Sequence, residues 1–71
     1  MAEIQRFLRL REVEDVTGLR KSAIYDRIAK SQFPKPVSLG DAPNSPVGWP
    51  EGEIAAWQAE RIAKRAERVA A

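Results

Sequence analysis

A mainly helical fold carrying one small β-hairpin is what this sequence predicts. Three observations carry the prediction. Gly18 separates two short stretches with helical apolar spacing, two apolar runs flank a turn-rich loop, and a long alanine- and charge-rich stretch follows Pro50. The 71 residues have room for one domain with a modest core. A domain of that size buries only about 60% of the surface its unfolded chain exposes, so stability is thin.

The first helix is expected over 12–17. Phe7-Leu8-Arg9-Leu10 reads as a short extended lead-in, with Phe7 covering the helix. Val13 and Val16 are three apart and share a face, while Glu12, Glu14 and Asp15 point elsewhere or enrich the first turn. Gly18 can take the left-handed conformation that ends a helix, and Leu19 places an apolar side chain inside the turn. The second helix is expected over 21–31, with Ile24 and Ile28 four apart on its inner face. Its start has two readings: Arg20 is a poor N-cap, whereas Ser22 is a good one for a helix opening at Ala23. Phe33-Pro34-Lys35-Pro36 must then run extended, with Phe33 as a plug beneath the turn.

Val37-Ser38-Leu39 and Val47-Gly48-Trp49 read as the strands of a hairpin over about 37–49, joined by the loop Gly40 to Pro46. Pro46, just before the second strand, suits a sheet edge. Pro50 and Glu51 open a third helix over 51–68, with Ile54, Trp57, Arg61 and Ile62 on or near one side. Trp49 and Trp57 sit in regular elements among small or apolar neighbours, which marks them as core rather than base-stacking platforms. The domain is expected to cover 6–62, leaving 63–71 as a basic tail, helical or frayed. The stretch Ile62 to Val69 is a candidate contact between copies.

Composition excludes several classes of function. With no cysteine and no histidine, neither a disulfide framework nor a thiolate zinc site can form, and no EF-hand spacing is present. No metal, cofactor or small-molecule ligand is expected. A nucleophile–base pair cannot be assembled either: Ser22 and Asp26, four apart on a helix, make no hydrolytic site, so the chain is not expected to be an enzyme. No apolar run approaches the roughly 20 residues that span a bilayer. The stretch Met1 to Arg11 lacks a signal-peptide pattern, and the expected location is cytoplasmic, away from membranes.

Charge points to a partner. Residues 20–40 carry Arg20, Lys21, Arg27, Lys30 and Lys35 against Asp26 alone, a net +4, although the whole chain is only +2. Such clustering makes a footprint for phosphate. Helix, glycine turn, basic helix, hairpin, helix is the order of a winged helix-turn-helix, whose second helix enters the major groove of duplex DNA. With Ile24 and Ile28 inward, Ser22, Ala23, Asp26 and Lys30 face away from the core, and Tyr25 and Arg27 lie on opposite flanks. Lys30 can meet a guanine or a phosphate, Ser22 a phosphate or a base edge, and Arg27 the backbone from the flank. Asp26 has two readings, acceptor for a cytosine amine or partner of Lys30 one turn on. Tyr25 also has two: its ring packs against the third helix, with the hydroxyl free for a phosphate, or it is purely core. One short helix reads few bases, so specific binding is expected to use two or more copies on repeated or inverted half-sites.

The chain also resembles the AlpA family of prophage transcriptional regulators, related to excisionase and MerR-type winged-helix proteins. The resemblance runs through Arg6-Phe7-Leu8-Arg9-Leu10, Val13, Thr17-Gly18-Leu19, Ser22-Ala23-Ile24-Tyr25 and Ile28. It continues in Phe33-Pro34-Lys35-Pro36-Val37, Leu39-Gly40, Val47-Gly48-Trp49 and Glu53-Ile54-Ala55-Ala56-Trp57. It implies a sequence-specific DNA-binding regulator of phage or prophage origin, with the wing reaching a neighbouring groove or backbone. The alternatives are an excisionase-like protein that bends DNA in site-specific recombination and, further off, a protein-interaction module without DNA binding. The sequence departs from the family pattern in having Arg20 in place of a capping serine and Asp26 in place of a basic residue. Its wing loop, Asp41 to Pro46, is also longer and lacks an arginine.

Overall fold

The structure, a computed structural model, describes residues 3–70, with side chains described as far as Ala66. The first helix, α1, spans Leu10–Thr17 and so starts ahead of Glu12. Arg9 is its N-cap in extended backbone (φ −83°, ψ 165°), and the Glu12 carboxylate accepts the Arg9 N–H at 3.0 Å. That bond satisfies a donor the helix cannot and pulls two more residues into the first turn. At the other end Gly18 takes φ 76° and donates to the Glu14 carbonyl at 2.9 Å. The Thr17 hydroxyl accepts the Leu19 N–H at 3.2 Å. The chain therefore turns within Gly18 to Arg20 into α2, Lys21–Ala29.

Arg20, not Ser22, is the N-cap of α2, and no side chain caps its first turn. The tight turn at Gly18 leaves Arg20 the extended residue from which the helix must start, so Ser22 falls inside the first turn. The helix also ends before the expected Ser31. Lys30 is the C-cap, and Ser31 takes the left-handed region at φ 58°. The helix thus stops before Phe33, whose side chain is needed in the core.

Three antiparallel strands follow the order β1-β3-β2, with β1 at Phe7–Leu8, β2 at Val37–Ser38 and β3 at Val47–Pro50. The hairpin expectation holds for β2 and β3, paired Val37↔Gly48 and Ser38↔Val47, with the Leu39 N–H on the Pro46 carbonyl at 2.8 Å. The lead-in, however, is a third strand, paired Phe7↔Pro50 and Leu8↔Trp49. This makes β3 central and corrects the edge reading of Pro46. Pro46 lies before the strand, where its missing N–H removes no ladder bond. Pro50 ends β3 instead of opening the helix, and the Glu51 N–H goes to the Arg6 carbonyl at 2.8 Å. Phe7 lies on the sheet beside Gly48 rather than over α1. A Cβ on Gly48 would come to 3.1 Å from the Phe7 Cβ, so a larger residue there would push Phe7 aside by a few tenths of an ångström.

The core is Leu8, Val13, Ile24, Phe33, Trp49 and Ile54, with Leu10, Leu19, Ile28, Val47 and Trp57 packed against it. Trp49 is fully buried, and its Nε1–H donates to the Pro34 carbonyl at 2.9 Å. Trp57 is half-buried, edge-on to Phe33 with centroids 4.9 Å apart, and its Nε1–H donates to the Gln32 carbonyl at 3.1 Å. Among the described residues no buried side-chain nitrogen or oxygen lacks a partner. Two apolar expectations fail. Val16 is 50% exposed and Ile62 59% exposed. Val16 sits at the last turn of α1, whose carbonyl is instead taken by Gln58 Nε2 at 2.8 Å. The third helix, α3, runs Glu51–Ala70. At 1.5 Å per residue it carries Ile62 about 12 Å past Ile54, beyond the layer it covers. Ala71, the end of the expected tail, and the side chain of Val69 lie outside the described residues.

Candidate nucleic-acid interface

Helix α2 is pinned by Ile24, which is fully buried, with Ile28 packed beside it. The opposite side presents Ser22, Asp26 and Lys30, all exposed. Lys30 Nζ lies 3.1 Å from Asp26 Oδ2, an exposed i, i+4 pair. Such a pair contributes about 0.3–0.5 kcal/mol and exchanges readily for another partner. Of the two readings of Asp26, the geometry without DNA displays the ion pair. Ala23 is half-buried rather than fully outward, because Arg27 folds back along the same flank and donates from Nη1 to the Ala23 carbonyl at 3.2 Å.

Tyr25 occupies the other flank. Its ring stands edge-on to Trp49, with centroids 6.4 Å apart and planes at 67°, and the residue remains 39% exposed. The ring therefore leans on the sheet and not on α3, which corrects the sequence expectation. The physical reason is the third strand: pairing with β1 puts β3 in the middle of the sheet, so Trp49 is the nearest aromatic surface.

On the Tyr25 flank a groove is lined by Arg9, Arg11, Arg20, Lys21, Tyr25 and Val47, together with the carboxylates Glu14 and Asp15, so four cations outnumber two anions. Sequence reasoning missed Arg9 and Arg11 because residues 1–19 are net negative taken together. Their positive charge becomes local once the lead-in pairs with β3 and turns into α1 beside the start of α2. Of the carboxylates in that segment, Glu12 lies outside this groove and is committed elsewhere. Glu12 is held below the usual carboxylate range, first by the Arg9 backbone N–H and then by the Arg6 side chain. Arg6 is 3.1 Å from Glu12 and 3.6 Å from Glu51, so it ties the start of α1 to that of α3. Lys35 is exposed in the link between α2 and β2 and does not line this groove.

A model of the family described as prophage CP4-57 regulatory protein (AlpA) matches residues 6–62. The chain belongs to the AlpA family. This protein is also similar to an uncharacterized protein, ORF88, of Enterobacteria phage P4, with 48% identity over 61 residues covering 86% of this chain. The chain spans 66% of the length of that phage relative. No solved structure matches it. AlpA is a prophage regulatory family, and this member has the three helices and small antiparallel sheet of a winged-helix-like domain. No helix among the described residues is long and apolar enough to cross a membrane.

Proposed function

We propose that this AlpA-family protein is a sequence-specific duplex-DNA-binding transcriptional regulator that reads the major groove with α2. The observation that carries the reading is the division of α2 into two faces. Ile24 is locked in the core, while Ser22, Asp26 and Lys30 form an exposed row flanked by Arg9, Arg11, Arg20 and Lys21. An α-helix fits the major groove, and cations on its flank meet the phosphates that border it. The first turn of α2 has no side-chain cap, so its amides are available to a phosphate oxygen between Arg20 and Lys21. Ser22 and Lys30 are the base-edge or phosphate contacts, Tyr25 offers its hydroxyl to the backbone, Arg27 meets the backbone from its flank, and Lys35 adds long-range attraction. Domain 6–62 supplies these contacts, and two or more copies occupy repeated or inverted half-sites.

Selection of bound sequences from a random duplex library, followed by affinity measurements at several salt concentrations, tests the proposal. A preferred sequence motif and a steep loss of affinity with salt are expected. Absence of any salt-dependent affinity for the randomised pool would overturn it. Sedimentation on the selected duplex tests the assembly, and a strictly single-copy specific complex would overturn the half-site reading.

A further inference from the structure

We propose that the groove between the end of α2 and the middle of α3 is a second phosphate-binding surface, formed by Arg27, Arg61 and Lys64. It would grip the DNA backbone on the flank of α2 opposite Arg9 and Arg11. The inference rests on the reading of α2 as the helix in the major groove.

Trp57, Arg61 and Lys64 stand at i, i+4 and i+7 on α3 and so form one stripe. The direction of that stripe is fixed at its base. The Trp57 ring is edge-on to Phe33 at 4.9 Å, and its Nε1–H is on the Gln32 carbonyl at 3.1 Å, just past the end of α2. Arg61 and Lys64 therefore line the same groove as Arg27, Ser31 and Gln32 instead of facing away from α2. Three cations share the groove with one carboxylate, Glu60. Its Oε1 lies 3.1 Å from Lys64 Nζ in an exposed pair that a phosphate can replace at small cost. Among the described residues no carboxylate lies within ion-pair distance of Arg61, whose planar fork suits a phosphate.

The partner follows from geometry. A helix about 10 Å across fills a major groove about 12 Å wide, so both of its flanks approach backbone. Arg9, Arg11, Arg20 and Lys21 serve one strand, and the α3 stripe reaches toward the other. Neither Arg61 nor Lys64 belongs to the basic segment 20–40, and both become relevant only because Trp57 of α3 packs on the segment just past α2.

The test compares wild type with Arg61→Ala/Lys64→Ala and with the charge-preserving Arg61→Lys/Lys64→Arg, after circular dichroism and melting establish that all three fold. Affinity for the selected duplex and its single-base variants is read at several salt concentrations. The alanine variant should lose about one to two units of log–log salt slope and at least about tenfold in affinity at low salt, with base preference unchanged. The charge-preserving variant should keep the slope. An unchanged slope in the alanine variant, with wild type still salt-dependent, overturns this inference and leaves the α2 reading standing. A wild type without salt-dependent affinity overturns both. An alanine variant that binds DNA normally but loses binding to polyglutamate assigns the groove to an acidic protein partner and overturns the phosphate reading.

Discussion

Replacing Trp49 with phenylalanine tests how the exposed side of α2 is supported. Trp49 is fully buried on the central strand, donates to the Pro34 carbonyl at 2.9 Å and carries the edge contact to Tyr25. Phenylalanine omits two ring carbons and the donor nitrogen. The carbons are worth about 0.8 kcal/mol each as buried apolar groups, and the hydrogen bond a further ~1 kcal/mol net. The total is about 2–3 kcal/mol, against roughly 4–10 kcal/mol expected for a domain of this size. Each kcal/mol moves the midpoint by about 4–8 °C, so Trp49→Phe should melt about 10–20 °C lower. Trp49→Ala, at about 3–5 kcal/mol, should remove most of the cooperative transition. Thermal melts followed by circular dichroism measure both. Trp49→Phe melting within about 3 °C of wild type would refute the reasoning, since neither the buried area nor the Pro34 bond would then be contributing as argued.

Three further outcomes follow from the same structure. Trp57→Ala should cost less than Trp49→Ala, about 2–3 kcal/mol by urea denaturation, because Trp57 is only half-buried; an equal or larger loss would contradict the difference in burial. Lys30→Ala breaks only an exposed pair with Asp26, so the melt should stay within about 0.5 kcal/mol of wild type. Its salt slope on DNA should fall by about one with base preference intact, whereas relaxed preference at one half-site position would assign Lys30 to a guanine instead. Glu12 has a lowered folded pKa, so its stabilisation is complete above the unfolded value of 4.5 and disappears as pH falls through the lower folded value. Melts of wild type and Glu12→Gln should therefore differ above that pH and converge in acid, and a pH-independent gap would exclude titration of Glu12 as the cause.

Much of the helical framework was legible because it depends on local signals. Gly18 fixed the turn, the Ile24–Ile28 spacing the inner face of α2, and the glutamates after Pro50 the start of α3. What escaped depends on pairing between distant residues. Nothing local to Phe7-Leu8 states that it will form a ladder with Trp49 and Pro50. Without that ladder β3 reads as an edge, Tyr25 points to α3, and Arg9 and Arg11 count with their acidic neighbours. The early stop of α2 was hidden for a similar reason. Residue pattern allows the helix to continue through Ser31, but the core requires Phe33, and the chain reaches it by placing Ser31 at φ 58°. Candidate site residues inside α2 were therefore easier to name than those brought beside it by the sheet or by α3.

The two tryptophans explain how so small a core can hold one helix at a defined angle. Apolar packing is non-directional and would let α2 roll about Ile24. The two indole donors act on a single connecting segment from different elements: Trp49 on β3 takes the Pro34 carbonyl, and Trp57 on α3 takes the Gln32 carbonyl. Phe33 lies between those carbonyls and is buried under Trp57. The segment has little alternative hydrogen bonding, since Pro34 and Pro36 lack N–H groups and extended backbone there has no strand partner among the described residues. Directional bonds from the sheet and from α3 thus anchor the end of α2, while the turn at Gly18 anchors its start. With both ends held, the roll of α2 is set. Ser22, Asp26 and Lys30 then share one outward direction, and the cationic grooves take up opposite flanks.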